Sequence, residues 1–123
     1  MITITDPAML KKMERALEEG GNIFTMDDIE IGLAEGKMQS HVFGDTWIIT
    51  QVLYLPRRKS VDILFVVGNL EESVGAEQVV ENWARNIGAD MMTAIGRAGW
   101  WKIRTPGWKV MGTLYSKEIS YER

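Results

Sequence analysis

Apolar residues change their spacing several times along this chain, and each change marks a predicted element. Ile2 and Ile4 alternate with threonines, which predicts a short strand over Met1 to Thr5. Asp6-Pro7 follows as an N-cap with proline at the first helical position, where its missing N–H costs nothing. Leu10, Met13 and Leu17 then recur at helical spacing among Lys11, Lys12, Glu14 and Arg15, until Gly20-Gly21 stops the helix. A second helix is predicted with Thr25 as its cap, Asp27 and Asp28 in the first turn where negative charge suits the helix dipole, and Met26, Ile29 and Leu33 along one side before Gly36.

From Met38 the period becomes that of strands. MQSHVF, a Gly44-Asp45 turn and TWIITQVLYL predict a hairpin, closed by Pro56-Arg57-Arg58-Lys59, a basic triplet best read as a solvated turn. VDILFVV, Val61 to Val67, is nearly all apolar and predicts a strand in the middle of a sheet, buried on both faces. A helix follows with Val79, Val80, Trp83, Ala84 and Ile87 on its apolar face, ended by Gly88, and then a strand over Met91 to Ile95. AGWWKI predicts a short amphipathic helix. In the closing strand Val110, Gly112, Leu114 and Ser116 alternate against Met111, Thr113 and Tyr115. The order is β-α-α-β-β-β-α-β-α-β, an α/β (α+β) class chain with no linker, repeat or low-complexity segment, expected to fold as a single domain over 1–123.

Composition narrows the chemistry. The chain has 123 residues, enough for one core, and its formal net charge of −3 does not favour wholesale binding to nucleic acid or anionic membranes. It has no cysteine and one histidine, His41, which removes disulfides, thiolate nucleophiles and zinc–thiolate sites. His41 itself reads as a surface strand residue. A Ser-His-Asp hydrolase would need it as base, and no serine sits in a nucleophile turn. Asp27, Asp28 and Glu30 are explained by capping and lack the glycine and distal glutamate of a calcium loop. No metal site is expected. No apolar run approaches the roughly 20 residues of a membrane helix, and no basic region precedes an apolar one at Met1, so the expected location is a cytosol or a particle assembled in one.

Against this plain background, IGRAGWWKIRTPGWKV (95–110) holds three of the five tryptophans and four basic residues without an acid. One reading is a packing helix and a turn. The other is a contact surface, in which Arg97, Trp101, Lys102, Arg104 and Lys109 engage a protein partner, since tryptophan and arginine are enriched in binding hot spots. Nucleic acid fits less well, because Asp90 and Glu118 flank the stretch. The eight methionines read as core filler or an adaptable contact surface.

The element order, together with ENWARNIGADMMTAIGRAGWWKI, PGWKVMGTLYSKEI and WIITQVLYLPRRKSVDILFVVGNL, resembles the GNAT N-acetyltransferase fold, a mixed sheet that splays open after its fourth strand. It is similar in particular to small GNAT-like proteins of tailed bacteriophages. That resemblance implies an acetyl-CoA site at Val66, Val67 and Gly68, with a pyrophosphate loop of the form Gln/Arg-x-x-Gly-x-Gly/Ala that sets Glu72 at the first position, Gly75 at the first glycine and Glu77 at the last. The two glutamates depart from it: like charges about 5 Å apart at an effective dielectric near 20 repel by roughly 3 kcal/mol. For acid–base chemistry the family's late-helix tyrosine is replaced by Trp100 and Trp101, which leaves Tyr54, Glu30 and Tyr115 as candidates. The expected function is a non-catalytic GNAT-like phage protein without a cofactor, contacting proteins such as phage structural proteins in the host cytoplasm or the virion. The alternative is an acyl-CoA-dependent N-acetyltransferase with a divergent loop and acetyl-CoA as cofactor. Homo-oligomerisation is compatible with either.

Overall fold

A computed structural model describes residues 7–19, 21, 23–95 and 107–121. The first predicted strand, the short helix AGWWKI, and Arg97, Trp101, Lys102 and Arg104 lie outside the described residues. The elements are α1 (Pro7–Glu19), α2 (Met26–Ala34), β1 (Met38–Phe43), β2 (Thr46–Tyr54), β3 (Lys59–Val67), a 3-10 turn (Leu70–Glu72), α3 (Ser73–Asn86) and β4 (Met91–Ala94). They form an α+β structure around a mixed four-stranded sheet of order β1-β2-β3-β4, antiparallel except for the parallel β3–β4 pair. A parallel pair needs a long crossover, and α3 supplies it.

Local chemistry sets most of the boundaries. Thr25 forms a capping box with Asp28: Asp28 N donates to Thr25 Oγ1 at 3.2 Å and Thr25 N to Asp28 Oδ2 at 2.9 Å. The Gly44-Asp45 turn joins β1 to β2, and Leu55 N donates to the Arg58 carbonyl at 2.9 Å to close the basic turn. At the far end of that turn Lys59 Nζ donates to the Ile87 carbonyl at 2.6 Å, and Lys59 N donates to Asp90 Oδ2 at 2.8 Å, tying the start of β3 to the end of α3.

Two apolar layers sandwich the sheet. On one face α1 and α2 bury Met13, Leu17 and Ile29 against Trp47, Ile49 and Val67; on the other, Ala76, Val80 and Ala84 of α3 cover Ile48 and Val61. Met13 and Leu17 of the stripe predicted for α1 are buried while Leu10 is only half-buried, and Trp47 is in the core as expected of a large aromatic on a strand. Trp83 packs on the edge of the α3 layer, partly buried.

Three expectations need correction. The strand Val61–Val67 is central, but Val66 is 50% exposed rather than buried, because the register slips once: Ile49 pairs with Phe65 while Thr50 pairs with Ile63. Leu64 is thus the extra residue of a β-bulge, and it packs on the α1/α2 face together with its neighbour Phe65. The closing strand is also absent as such. Residues 108–121 belong to no strand, so the alternation from Val110 onward does not become a sheet strand within this chain.

The third correction concerns His41. It is 8% exposed, lies under Trp83 with ring centroids 5.2 Å apart, and its Nε2 is 2.9 Å from Thr50 Oγ1. Thr50 Oγ1 donates its only proton to Gln39 Oε1 at 3.0 Å, so the 2.9 Å contact is made by His41 donating from Nε2. Burial pushes its pKa below the ordinary 6.5. The unfolded chain therefore binds a proton that the folded one refuses. Stability from this site is complete above about pH 6.5 and falls as the pH drops toward the folded pKa. Thermal unfolding over this interval should show a positive slope of melting temperature with pH that His41→Phe reduces; an unchanged slope would place the titration elsewhere.

Candidate functional site

The end of β3, where the resemblance sets a cofactor loop, meets the β1–β2 turn and the start of α3. Val67 is buried in the α1/α2 layer, and Gly68, at φ +139°, lies directly on the turn. A Cβ at Gly68 would sit 2.5 Å from the Asp45 carbonyl oxygen and 2.5 Å from Thr46 Cα. Glycine is needed there to let two backbone segments touch. Gly75, in the first turn of α3, is equally tight for another reason: a Cβ would overlap the Phe43 ring. The structure thus gathers Gly68 and Gly75 at one hairpin end, as contact points between elements.

Polar groups reinforce that contact. Glu72 accepts from Asp45 N through both carboxylate oxygens, at 3.1 and 3.2 Å. Thr46, 1% exposed, directs its hydroxyl at the Asn69 carbonyl (3.2 Å) and at Glu72 Oε1 (3.3 Å), and accepts from Asn69 N at 3.2 Å. The side chain of Glu72 is thereby spent on the turn rather than on capping: α3 has no side-chain cap at its N-terminus. Glu77, one turn further on, accepts from Trp108 Nε1. Burial raises the Glu77 pKa and the charge on Glu81 adds to the rise, while the bond from Trp108 opposes it. The indole anchors the C-terminal segment to α3, a contact no sequence spacing announced because its partners are 31 residues apart.

On the other side of β3 the pairing is shorter among the described residues. The last β3–β4 pair is Ile63 with Ala94, while β3 pairs with β2 as far as Val67. Among the described residues, Leu64–Val67 therefore has no strand on its β4 side. Just before this stretch, Gln51 Nε2 and Thr93 Oγ1 donate to the two oxygens of Asp62 at 3.1 and 2.7 Å, and Ser60 Oγ is 3.1 Å from Thr93 Oγ1. Thr93 has given its proton to Asp62, so Ser60 donates to Thr93. The carboxylate is satisfied by neutral donors across three strands, a polar seam that ties β2, β3 and β4 together.

The other sequence candidates are scattered. Tyr54 ends β2, 78% exposed, with Lys59 Nζ 5.6 Å from its ring centre; Glu30 is exposed on α2; Tyr115 is 87% exposed on the C-terminal segment, where Lys109, nearer its start, is exposed too. Tyr54, Glu30 and Tyr115 thus sit on three separate elements. No group of three or more histidine, aspartate or glutamate side chains poised for a metal ion occurs among the described residues, and no helix there is long and apolar enough to cross a membrane.

No family model and no curated protein matches the sequence. Two solved structures of the protein TTHA1254 from Thermus thermophilus resemble the fold. The wild type superposes with a TM-score of 0.57 at 11% identity, over 80% of this chain and 82% of that one. A single-substitution mutant gives 0.55 at 13% identity, over 81% and 96%. At such identities the likeness speaks for the fold alone.

Proposed function

We propose that this chain is a non-catalytic GNAT-like protein of the kind carried by tailed bacteriophages, working in the host cytoplasm or the virion as an assembly or virion-associated interaction module. The start of α3 supports this reading most directly. A pyrophosphate at that position would meet Glu71, Glu72 and Glu77, and the Glu72 carboxylate is already engaged by Asp45 N and Thr46. Phe43 lies against Gly75, where a cofactor loop would need bare backbone. The apolar C-terminal segment offers contact surface instead.

Two observations favour the alternative of an acyl-CoA-dependent N-acetyltransferase. The absence, among the described residues, of a strand beside Leu64–Val67 and the lack of a side-chain cap at the N-terminus of α3 are the features such a cofactor would use, with Val66, Val67, Gly68 and Gly75 around it. Calorimetric titration of the purified protein with acetyl-CoA and with CoA separates the two readings. No heat is expected at ligand concentrations up to the millimolar range. Micromolar binding that tightens in Glu77→Gly, which removes both the charge and the side chain, would overturn the interaction reading in favour of the enzyme.

A further inference from the structure

Residues 108–121 belong to no helix or strand, and the large apolar side chains Val110, Met111, Leu114, Tyr115, Ile119 and Tyr121 along them are between 70% and 87% exposed. The stretch from Val110 to Ser116 is uncharged, with Lys109 before it and Lys117-Glu118 after it. Its alternation places apolar groups on both sides, the pattern of a strand whose two faces are covered. The same chain offers an edge for such a strand. Among the described residues β4 (MMTA) pairs only with β3; it carries no charge, proline or bulge to guard its outer edge, and the β3 length from Leu64 to Val67 lies open on the same side.

We infer that the partner of this segment is a second copy of the chain: each copy lays its Val110–Ser116 stretch along the open β4 side of the other. Within one chain the segment is tethered to α3 by Trp108 and Glu77 and then belongs to no strand, although among the described residues the outer side of β4 carries no paired strand. A chain that carries both donor strand and acceptor edge, unpaired with each other among the described residues, closes by two-fold exchange in which the same two surfaces are used twice. Exchange also removes two aggregation hazards, a bare edge and an uncharged apolar strand. The charges on either side of the stretch fix its length by stopping pairing where they would be desolvated. This inference rests on the interaction reading and names one partner for it.

Because the chain has no cysteine, single thiols report position cleanly. Ile95→Cys marks the end of β4 and Thr113→Cys the middle of the segment, both at exposed positions. Mixing the two single variants with a short bismaleimide should give a covalent heterodimer, and light scattering of the unmodified protein should give twice the 14.0 kDa chain mass. Leu114→Asp should weaken the dimer more than about a hundredfold, as an unpaired charge placed in an apolar contact does, with far-UV circular dichroism unchanged. A monomer in solution, a link that forms only within a chain carrying both cysteines, or a dimer indifferent to Leu114→Asp would each overturn the exchange. The cofactor titration answers separately: a monomer that ignores acetyl-CoA loses this partner but keeps the interaction reading, whereas a dimer that binds acetyl-CoA loses that reading and keeps the exchange.

Discussion

Trp47→Ala is expected to destabilise the protein by about 3–5 kcal/mol, the range for removing a fully buried large aromatic. Trp47 is 2% exposed and packs in the layer formed by Met13, Leu17, Ile29, Ile49 and Val67, so truncation opens a cavity at the junction of α1, α2 and the sheet. The indole N–H also donates to Ser40 Oγ at 2.6 Å across the β1–β2 pair, and that bond goes with it. Domains of this size have about 5–15 kcal/mol in total, so the loss takes a large share and lowers the melting temperature by roughly 10–20 °C. Trp47→Phe keeps much of the volume and loses the hydrogen bond; it should cost about 1–2 kcal/mol more than a neutral surface change. Denaturant unfolding of both variants checks the ordering. A Trp47→Ala loss under about 1 kcal/mol would mean that this layer is not the core.

Gly68→Ala is the second large effect, about 2–4 kcal/mol, because two costs combine at one residue. Alanine disfavours φ +139°, and its methyl group would press on the Asp45 carbonyl and Thr46 Cα, backbone atoms that cannot swing away. Gly88→Ala supplies the comparison: φ is +75°, but nothing lies within 4 Å of the added atom, so only the conformational cost of about 1 kcal/mol remains. Urea midpoints should therefore separate the two alanine variants clearly. Equal losses would show that the hairpin turn yields to Gly68 and that the close approach is not needed.

The α2 cap is fully legible from Thr25 and Asp28, because a capping box is made within four consecutive residues. The β1–β2 turn and the buried stripe of α1 are legible for the same reason. His41 is not, because its environment comes from elsewhere: Thr50 lies across the hairpin and Trp83 arrives from α3. The role of Glu72 is hidden in a similar way. Its position after β3 suggests a misplaced member of a phosphate loop, whereas the side chain serves Asp45, 27 residues away. For the C-terminal segment, alternation predicts a strand without revealing whether a sheet edge within the same chain would accept it.

What the sequence determined by itself was the run of elements from α1 to β4, since periodicity, caps and glycine breaks act over one or two turns of chain and are written in neighbouring residues. It also determined the absence of cysteine chemistry. The tertiary structure decided the rest. A single bulged residue, Leu64, turns Phe65 and Val67 to the face opposite Val61 and Ile63, and an unbroken apolar run such as VDILFVV holds no alternation from which that switch could be read. Which glycines are contact points and which carboxylates are engaged depend on segments brought together from distant parts of the chain.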